Sequence, residues 1–146
     1  MTRSYTVRTR IEKPAGVVYD AIVSAGTLNR YFTGRTSGDL AEGARITWHW
    51  DEWGDFPVTV KRLVKGRLIE LTLDSKAWQK TKDEAYDVLV TFEIEPLDDG
   101  ATMLSISESG WKTDADGLKG SHDNCGGWTH MSMCLKGYLE HGIDLR

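Results

Sequence analysis

The chain has 146 residues, the size of one domain, and 40% of them are hydrophobic, which excludes a disordered protein and allows a core without metals or disulfides. Eighteen basic and 22 acidic residues give a net charge of −4, which argues against the basic surface of a nucleic-acid-binding protein. No apolar run in the sequence is as long as a membrane span, and the residues after Met1 do not have the apolar segment of a signal peptide. We therefore expect a cytoplasmic protein with no membrane association.

The first 32 residues predict one strand and two helices. Residues 5–11 alternate between apolar and polar side chains, which is typical of a half-buried strand. Pro14 suits the first turn of a helix, and Gly26 is a natural end for it. Thr27 is the expected cap of a second, short helix at residues 28–32.

The next 75 residues, after a loop at 33–38, predict an antiparallel sheet, because short turns join consecutive strands. Hairpin turns are indicated at Lys65–Arg67 and Asp98–Gly100, and another turn at Trp53–Asp55. A polar loop around Trp78 is expected at residues 76–84. The predicted strands are residues 44–50, 58–64, 68–74, 86–94 and 102–109.

A long helix is predicted from about Ser121 to Gly142, because the pattern changes to spacings of three and four residues. Gly126 and Gly127 lie inside it and indicate either a later helix start, near Trp128, or a close approach of the backbone to another group. The inward face is predicted to carry Ser121, Cys125, Trp128, Ser132, Leu135 and Leu139, and the outward face Asp123, His130, Cys134 and His141.

The apolar faces of the sheet and of the last helix must cover each other, which predicts a two-layer α+β fold. Three segments then resemble a known family: residues 13–22 with their Pro, apolar pair and aromatic, residues 28–32 ending in aromatics, and residues 127–140 with Gly-Trp, Leu, Leu and Glu. In this order they resemble the START-like (SRPBCC, helix-grip) superfamily, in the branch of the C-terminal domain of the activator of heat-shock protein 90 ATPase.

The resemblance implies a single START-like domain over residues 1–146, with a curved sheet of about six to seven strands around the C-terminal helix and a cavity between them. It implies an apolar or amphipathic ligand, a polyketide-like substrate or a chaperone as partner, with a role in the stress response, and no shared catalytic residue. Two departures bear on the cavity: residues 68–74 lack the Trp often found in that strand, and the pair Gly126–Gly127 is unusual.

Six tryptophans in 146 residues, three of them between Trp48 and Trp53, indicate either a large core or a cavity wall. Strand alternation and the helix face give the candidate ligand-binding residues. They are Phe32, Trp48, Trp50, Val60, Val90, Phe92, Ile106, Glu108, Trp111, Cys125, Trp128 and Ser132.

Three functions compete. The leading hypothesis is the non-enzymatic binding of a small hydrophobic, aromatic or lipid-like molecule. The second is a cyclase, dehydratase or hydrolase that uses Glu108 as acid or base, if that carboxyl points inward rather than into solvent. The third is a chaperone-associated interaction module with an exposed aromatic hairpin tip at Trp53 and Phe56.

Metal or cofactor binding is not expected. His130 and Cys134 are four residues apart, His141 lies too far along the helix, and His122 with Cys125 lacks a third ligand. No nucleotide-binding or nucleophile motif is present in the sequence. Cys125 and Cys134 are nine residues apart on one predicted helix, so both thiols should be free. A monomer or a homodimer is expected.

Overall fold

The computed structural model of the protein describes residues 2–79 and 85–146. Seven strands in these residues form one antiparallel sheet, with the spatial order β1-β7-β6-β5-β4-β3-β2. The strands are β1 (Thr2–Ile11), β2 (Arg35–Thr36), β3 (Arg45–Trp50), β4 (Gly54–Val64), β5 (Leu68–Asp74), β6 (Asp87–Pro96) and β7 (Thr102–Lys112). The helices are α1 (Ala15–Val23), α2 (Ala25–Tyr31), α3 (Ser75–Gln79) and α4 (Ala115–His141).

The core lies between the curved sheet and α4, which contacts β1 and β7. The alternation in β6 and β7 is the pattern that the sequence predicts, with every second side chain buried. From α4, Trp128, Met131 and Leu135 are buried against this face. The predicted α+β helix-grip fold is therefore confirmed.

The junction between α1 and α2 differs from its prediction. Gly26 does not end the first helix but lies inside the second. The cap of α2 is Ser24, whose hydroxyl accepts a hydrogen bond from the Thr27 backbone N–H at 3.3 Å, so Thr27 is not the cap. Ser24 fits this role because an N-cap side chain accepts from the backbone N–H three residues later, which has no acceptor within the helix.

The closing helix α4 begins at Ala115, six residues before the predicted start, and it runs without a break through the glycine pair. The carboxylate of Asp114 caps it by accepting from Gly117 N at 2.8 Å. A β-carbon on Gly126 or Gly127 would meet no described atom within 4 Å. Neither a late start nor a close approach of the described backbone explains these two glycines.

The loops and turns also differ in part from their predictions. The hairpins at Lys65–Arg67 and Asp98–Gly100 are confirmed, and Gly66 and Gly100 have φ of 74° and 85°. The turn predicted at residues 53–55 lies at 51–53, because β4 already begins at Gly54. The loop at 33–38 contains β2. The loop predicted at 76–84 begins with α3, and its residues 80–84 lie outside the described part of the chain.

The last residues fold back on α4 and α2. The guanidinium of Arg146 donates to the backbone oxygens of Thr33 (2.8 Å) and Arg30 (3.2 Å). Tyr138 of α4 stacks on Tyr31 of α2, with ring centroids 5.7 Å apart. Cys134 was predicted on the solvated face of the helix, but it is buried because α2 and this tail cover that side.

Candidate ligand-binding site

A cavity of about 690 Å³ opens to solvent at one end of the sheet, between the β3–β4 hairpin, α3 and the middle of α4. This volume is within the range of small-molecule sites. Its lining is mostly apolar. Among the residues that the structure describes, the lining consists of Phe32, Trp50, Trp53, Asp55, Phe56, Ala77, Trp78, Asp123, Asn124, Gly127, Trp128 and His130.

The aromatic rings of the wall touch one another. Trp78 from α3 stacks on Trp128 from α4, with centroids 6.1 Å apart and planes at 27°. Trp78 also meets Phe56 edge to face at 5.0 Å, and Phe56 meets Trp50 at 5.5 Å. Phe32 closes the chain of contacts against Trp50 at 5.0 Å. Such offset and edge-to-face pairs contribute stability in addition to that from burying apolar surface. The ring contacts therefore hold the wall in place without a ligand.

Hydrogen bonds fix three of the indoles in the wall. The Trp50 N–H donates to Phe32 O at 2.7 Å, and the Trp78 N–H donates to Pro57 O at 2.8 Å. The Trp128 N–H donates to Glu108 Oε2 at 2.9 Å. The N–H edge of each indole therefore points into the protein, and its apolar ring forms part of the cavity wall.

Glu108 lies behind the wall and is fully buried. Its Oε1 accepts from the Tyr5 hydroxyl at 2.8 Å and from the Trp111 indole. Its Oε2 accepts from the Asn124 amide at 3.0 Å and from the Trp128 indole. Four donors from three elements thus converge on one carboxylate, which joins β1, β7 and α4 below the cavity.

Two opposing effects act on the Glu108 carboxyl. Burial raises the pKa of Glu108 above its ordinary value, and the hydrogen bonds from Trp128, Trp111, Asn124 and Tyr5 oppose that rise. All four partners donate, so the arrangement matches an ionised carboxylate with its acceptor positions filled. Chemically, this group can hold its neighbours in place, and it has no contact with the cavity described above.

At the mouth of the cavity, His49 bridges two aspartates of the β3–β4 hairpin. Its Nδ1 lies 2.6 Å from Asp55 Oδ1, and its Nε2 lies 2.9 Å from Asp51 Oδ1. Both hydrogen bonds raise the pKa of His49 above its ordinary value, and the one with Asp55 has the larger effect. The hairpin also carries Trp53, whose side chain is 66% exposed beside the opening.

The two thiols and the histidines form no metal site in the described residues, where no group of three His, Cys, Asp or Glu side chains converges. Cys125 and Cys134 are both free. Cys134 Sγ lies 3.5 Å from His130 Nε2, but burial raises the pKa of this thiol and disfavours a thiolate.

Three of the twelve candidate ligand-binding residues line the cavity: Phe32, Trp50 and Trp128. Trp48 lies directly behind the wall, 6.4 Å from Trp128 between ring centroids, and its buried indole N–H finds no acceptor among the described residues. Cys125 is half-buried outside the lining. The others are buried without lining the cavity; they are Val60, Val90, Phe92, Ile106, Glu108, Trp111 and Ser132.

Sequence reasoning missed several residues of the wall. Trp78 stands in a polar segment with no strand pattern, so its isolated indole was the only signal. Asn124 lies one helical turn before Trp128 on the same face, and the predicted inward stripe leaves it out. Asp123 and His130 are predicted on the outward face of α4, but both line the cavity.

The model of the family described as Activator of Hsp90 ATPase homolog 1-like protein matches residues 12–140. The chain belongs to this family. That match covers all three segments on which the resemblance to START-like domains rests. None of the curated proteins matches the sequence.

Solved structures share the fold of the family at low identity. Protein SSP2350 from Staphylococcus saprophyticus has a TM-score of 0.79 and 22% identity, over 99% of this chain and 96% of that one. Protein MLL2253 from Mesorhizobium loti has a TM-score of 0.81 and 19% identity, over 97% and 99%. The Aha1 dimer from Colwellia psychrerythraea has a TM-score of 0.79 and 19% identity, over 96% and 98%.

In the described ranges, no helix combines the length and the apolar character that a membrane span requires.

Proposed function

We propose that this member of the family binds a small apolar or aromatic molecule in the cavity and does not transform it chemically. The observation that carries the proposal is the wall of six aromatic rings around about 690 Å³ of space. Burying that ring surface against an apolar ligand is favourable by about 25 cal/mol per Å² of apolar area removed from water.

The state of the wall supports binding without rearrangement. Three indoles are each fixed by a hydrogen bond to the protein, and Trp78 and Trp128 stack on each other. Side chains that are already ordered lose little conformational entropy when a ligand arrives. The site therefore has the character of a preformed pocket with few polar groups.

The enzymatic alternative depends on Glu108, and its surroundings argue against an acid or base role. A general acid or base must reach the proton that it transfers. The Glu108 oxygens are instead occupied by four neutral donors, and its side chain is not part of the cavity lining.

Gly127 and Gly126 offer a matched pair of variants that test the binding proposal. Both positions have room for a side chain, but only Gly127 lines the cavity. Gly127→Leu should place a side chain inside the cavity and weaken binding at least tenfold, whereas Gly126→Leu should leave binding unchanged. Either leucine should also favour the helix by up to about 1 kcal/mol relative to glycine, so both variants should fold.

The measurement is quenching or shift of tryptophan emission during titration with neutral apolar compounds that do not fluoresce in the same range, such as tert-butylbenzene, cyclohexane and decanol. If no compound changes the emission of the natural sequence, or if both variants bind as it does, the proposal is wrong.

A role as a chaperone-docking module through Trp53 is the alternative. Binding of a purified Hsp90 chaperone that Gly127→Leu leaves unchanged would favour that role.

A further inference from the structure

The tryptophans of the cavity wall offer more than apolar contact. Four of its rings are indoles, from Trp50, Trp53, Trp78 and Trp128. The face of an indole carries negative electrostatic potential and is the most favourable aromatic surface for a cation. A site that needed only apolar contact could use aliphatic side chains, yet the described wall contains one small aliphatic residue, Ala77.

The charged side chains of the described wall have one sign. Asp55 lines the cavity from the hairpin side and Asp123 from the α4 side. No lysine or arginine is among the lining residues that the structure describes. The wall thus combines indole faces with carboxylates on two opposite elements.

The carboxylates at the opening have cationic partners that are exposed or titratable. Lys119 pairs with Asp123 at 2.5 Å, and both side chains are exposed, by 76% and 48%, so water screens both charges. On the hairpin, Asp51 and Asp55 share His49, and Arg35 reaches Asp51 at 3.9 Å. These groups together carry one net negative charge when His49 is neutral.

We propose that the ligand carries a positive charge, in the form of a quaternary or protonated amine attached to an apolar or aromatic group. The indoles of Trp50, Trp53, Trp78 and Trp128 surround the cationic end, and Asp55 and Asp123 attract it to the opening. This inference rests on the proposed function, because it assigns a chemical class to the ligand of the same cavity.

Two probes of the same shape separate charge from apolar contact. Phenyltrimethylammonium and tert-butylbenzene differ in one atom, a cationic nitrogen in place of a carbon. We expect the natural sequence to bind the ammonium compound roughly tenfold more tightly than tert-butylbenzene. A partly desolvated cation over an indole ring increases affinity by about that much. Binding is followed by the shifts of the indole N–H resonances in isotope-labelled protein.

The variant Asp55→Asn/Asp123→Asn should reduce this preference by roughly threefold or more and leave tert-butylbenzene binding unchanged. Asp20→Asn/Asp98→Asn is the matched control, because it removes the same charge from exposed positions outside the lining and should keep the full preference. Added salt should weaken only the ammonium compound.

The outcomes separate this inference from the function on which it rests. Equal affinity for the two probes, or a preference that the Asp55→Asn/Asp123→Asn variant retains in full, overturns the inference and leaves the binding function intact. If neither probe nor any neutral compound binds, the binding function itself is wrong, and the inference fails with it.

Discussion

Glu108 shows how one side chain determines the position of several others. Its two oxygens accept four hydrogen bonds, and two of the donors, Asn124 and Trp128, also line the cavity. The carboxylate therefore fixes the edge of the Trp128 ring from behind. A buried charge without such partners would be strongly destabilising, so the four donors and the carboxylate depend on one another.

Glu108→Gln should lower the free energy of unfolding by about 2 kcal/mol. The glutamine amide has the same shape, but its NH₂ group must face two donors, and a buried donor without an acceptor costs about 1–3 kcal/mol. Urea unfolding measures the change. Glu95→Gln, at an exposed position of β6, is the control and should stay within about 0.5 kcal/mol of the natural sequence. A stability equal to that of the natural sequence would show that the network does not need the carboxylate.

At the scale of single elements, α4 depends on close contact at its first turn. A β-carbon on Gly117 would lie 2.0 Å from the backbone oxygen of Lys112, far too close for two nonbonded atoms. Backbone atoms cannot move aside as a flexible side chain would. The start of α4 is therefore fixed against the end of β7 by the absence of a side chain at this position.

Gly117→Ala should destabilise the protein by about 2 kcal/mol or more, because the first turn of α4 must shift away from β7. Gly126→Ala should instead stabilise it by about 0.5–1 kcal/mol, since alanine favours a helix and the position is open. Thermal unfolding followed by circular dichroism compares the two. If Gly117→Ala proves as stable as Gly126→Ala, the contact with Lys112 is not limiting.

The elements that the sequence could predict are those with a strong local pattern. Residues 86–94 and 102–109 alternate without interruption, and both became strands because one side chain in two reaches the core. The start of α4 could not be predicted, since Gly117 weakens the helical pattern, and the reason for a glycine there is the close backbone oxygen of Lys112 at the end of β7. The capping role of Ser24 was likewise hidden by the equally suitable Thr27.

The candidate site could be predicted only in part, because it is assembled from four separate segments. Trp50 and Trp128 follow from strand and helix periodicity. Trp78 comes from α3, a helix of five residues without a clear pattern, and its contact with Trp128 spans 50 positions of the sequence. Local periodicity carries no information on such a contact.

At the scale of the whole molecule, stability should depend on pH through His49. Its pKa is raised in the folded protein by Asp55 and Asp51, whereas in the unfolded chain it has its ordinary value of about 6.5. The stabilisation is therefore fully present below about pH 6.5 and is lost as the pH rises through the higher value of the folded state.

The melting temperature of the natural sequence should consequently fall more between pH 6 and pH 8.5 than that of His49→Gln. Comparing the two proteins at each pH cancels the contribution of the other titrating groups, including Glu108. Parallel curves for the two proteins over this range would mean that the bridge to Asp51 and Asp55 does not contribute to stability in solution.

Five of the six tryptophans form a continuous series of neighbours, with centroids 6.1–6.4 Å apart from Trp53 through Trp50, Trp48 and Trp78 to Trp128. At such separations, electronic excitation passes between indoles faster than it is emitted as light. Absorbed energy therefore migrates through the whole series, whichever ring receives it. A quencher bound against one of these rings would therefore lower the emission of all five, and tryptophan emission would show whether the proposed site is occupied.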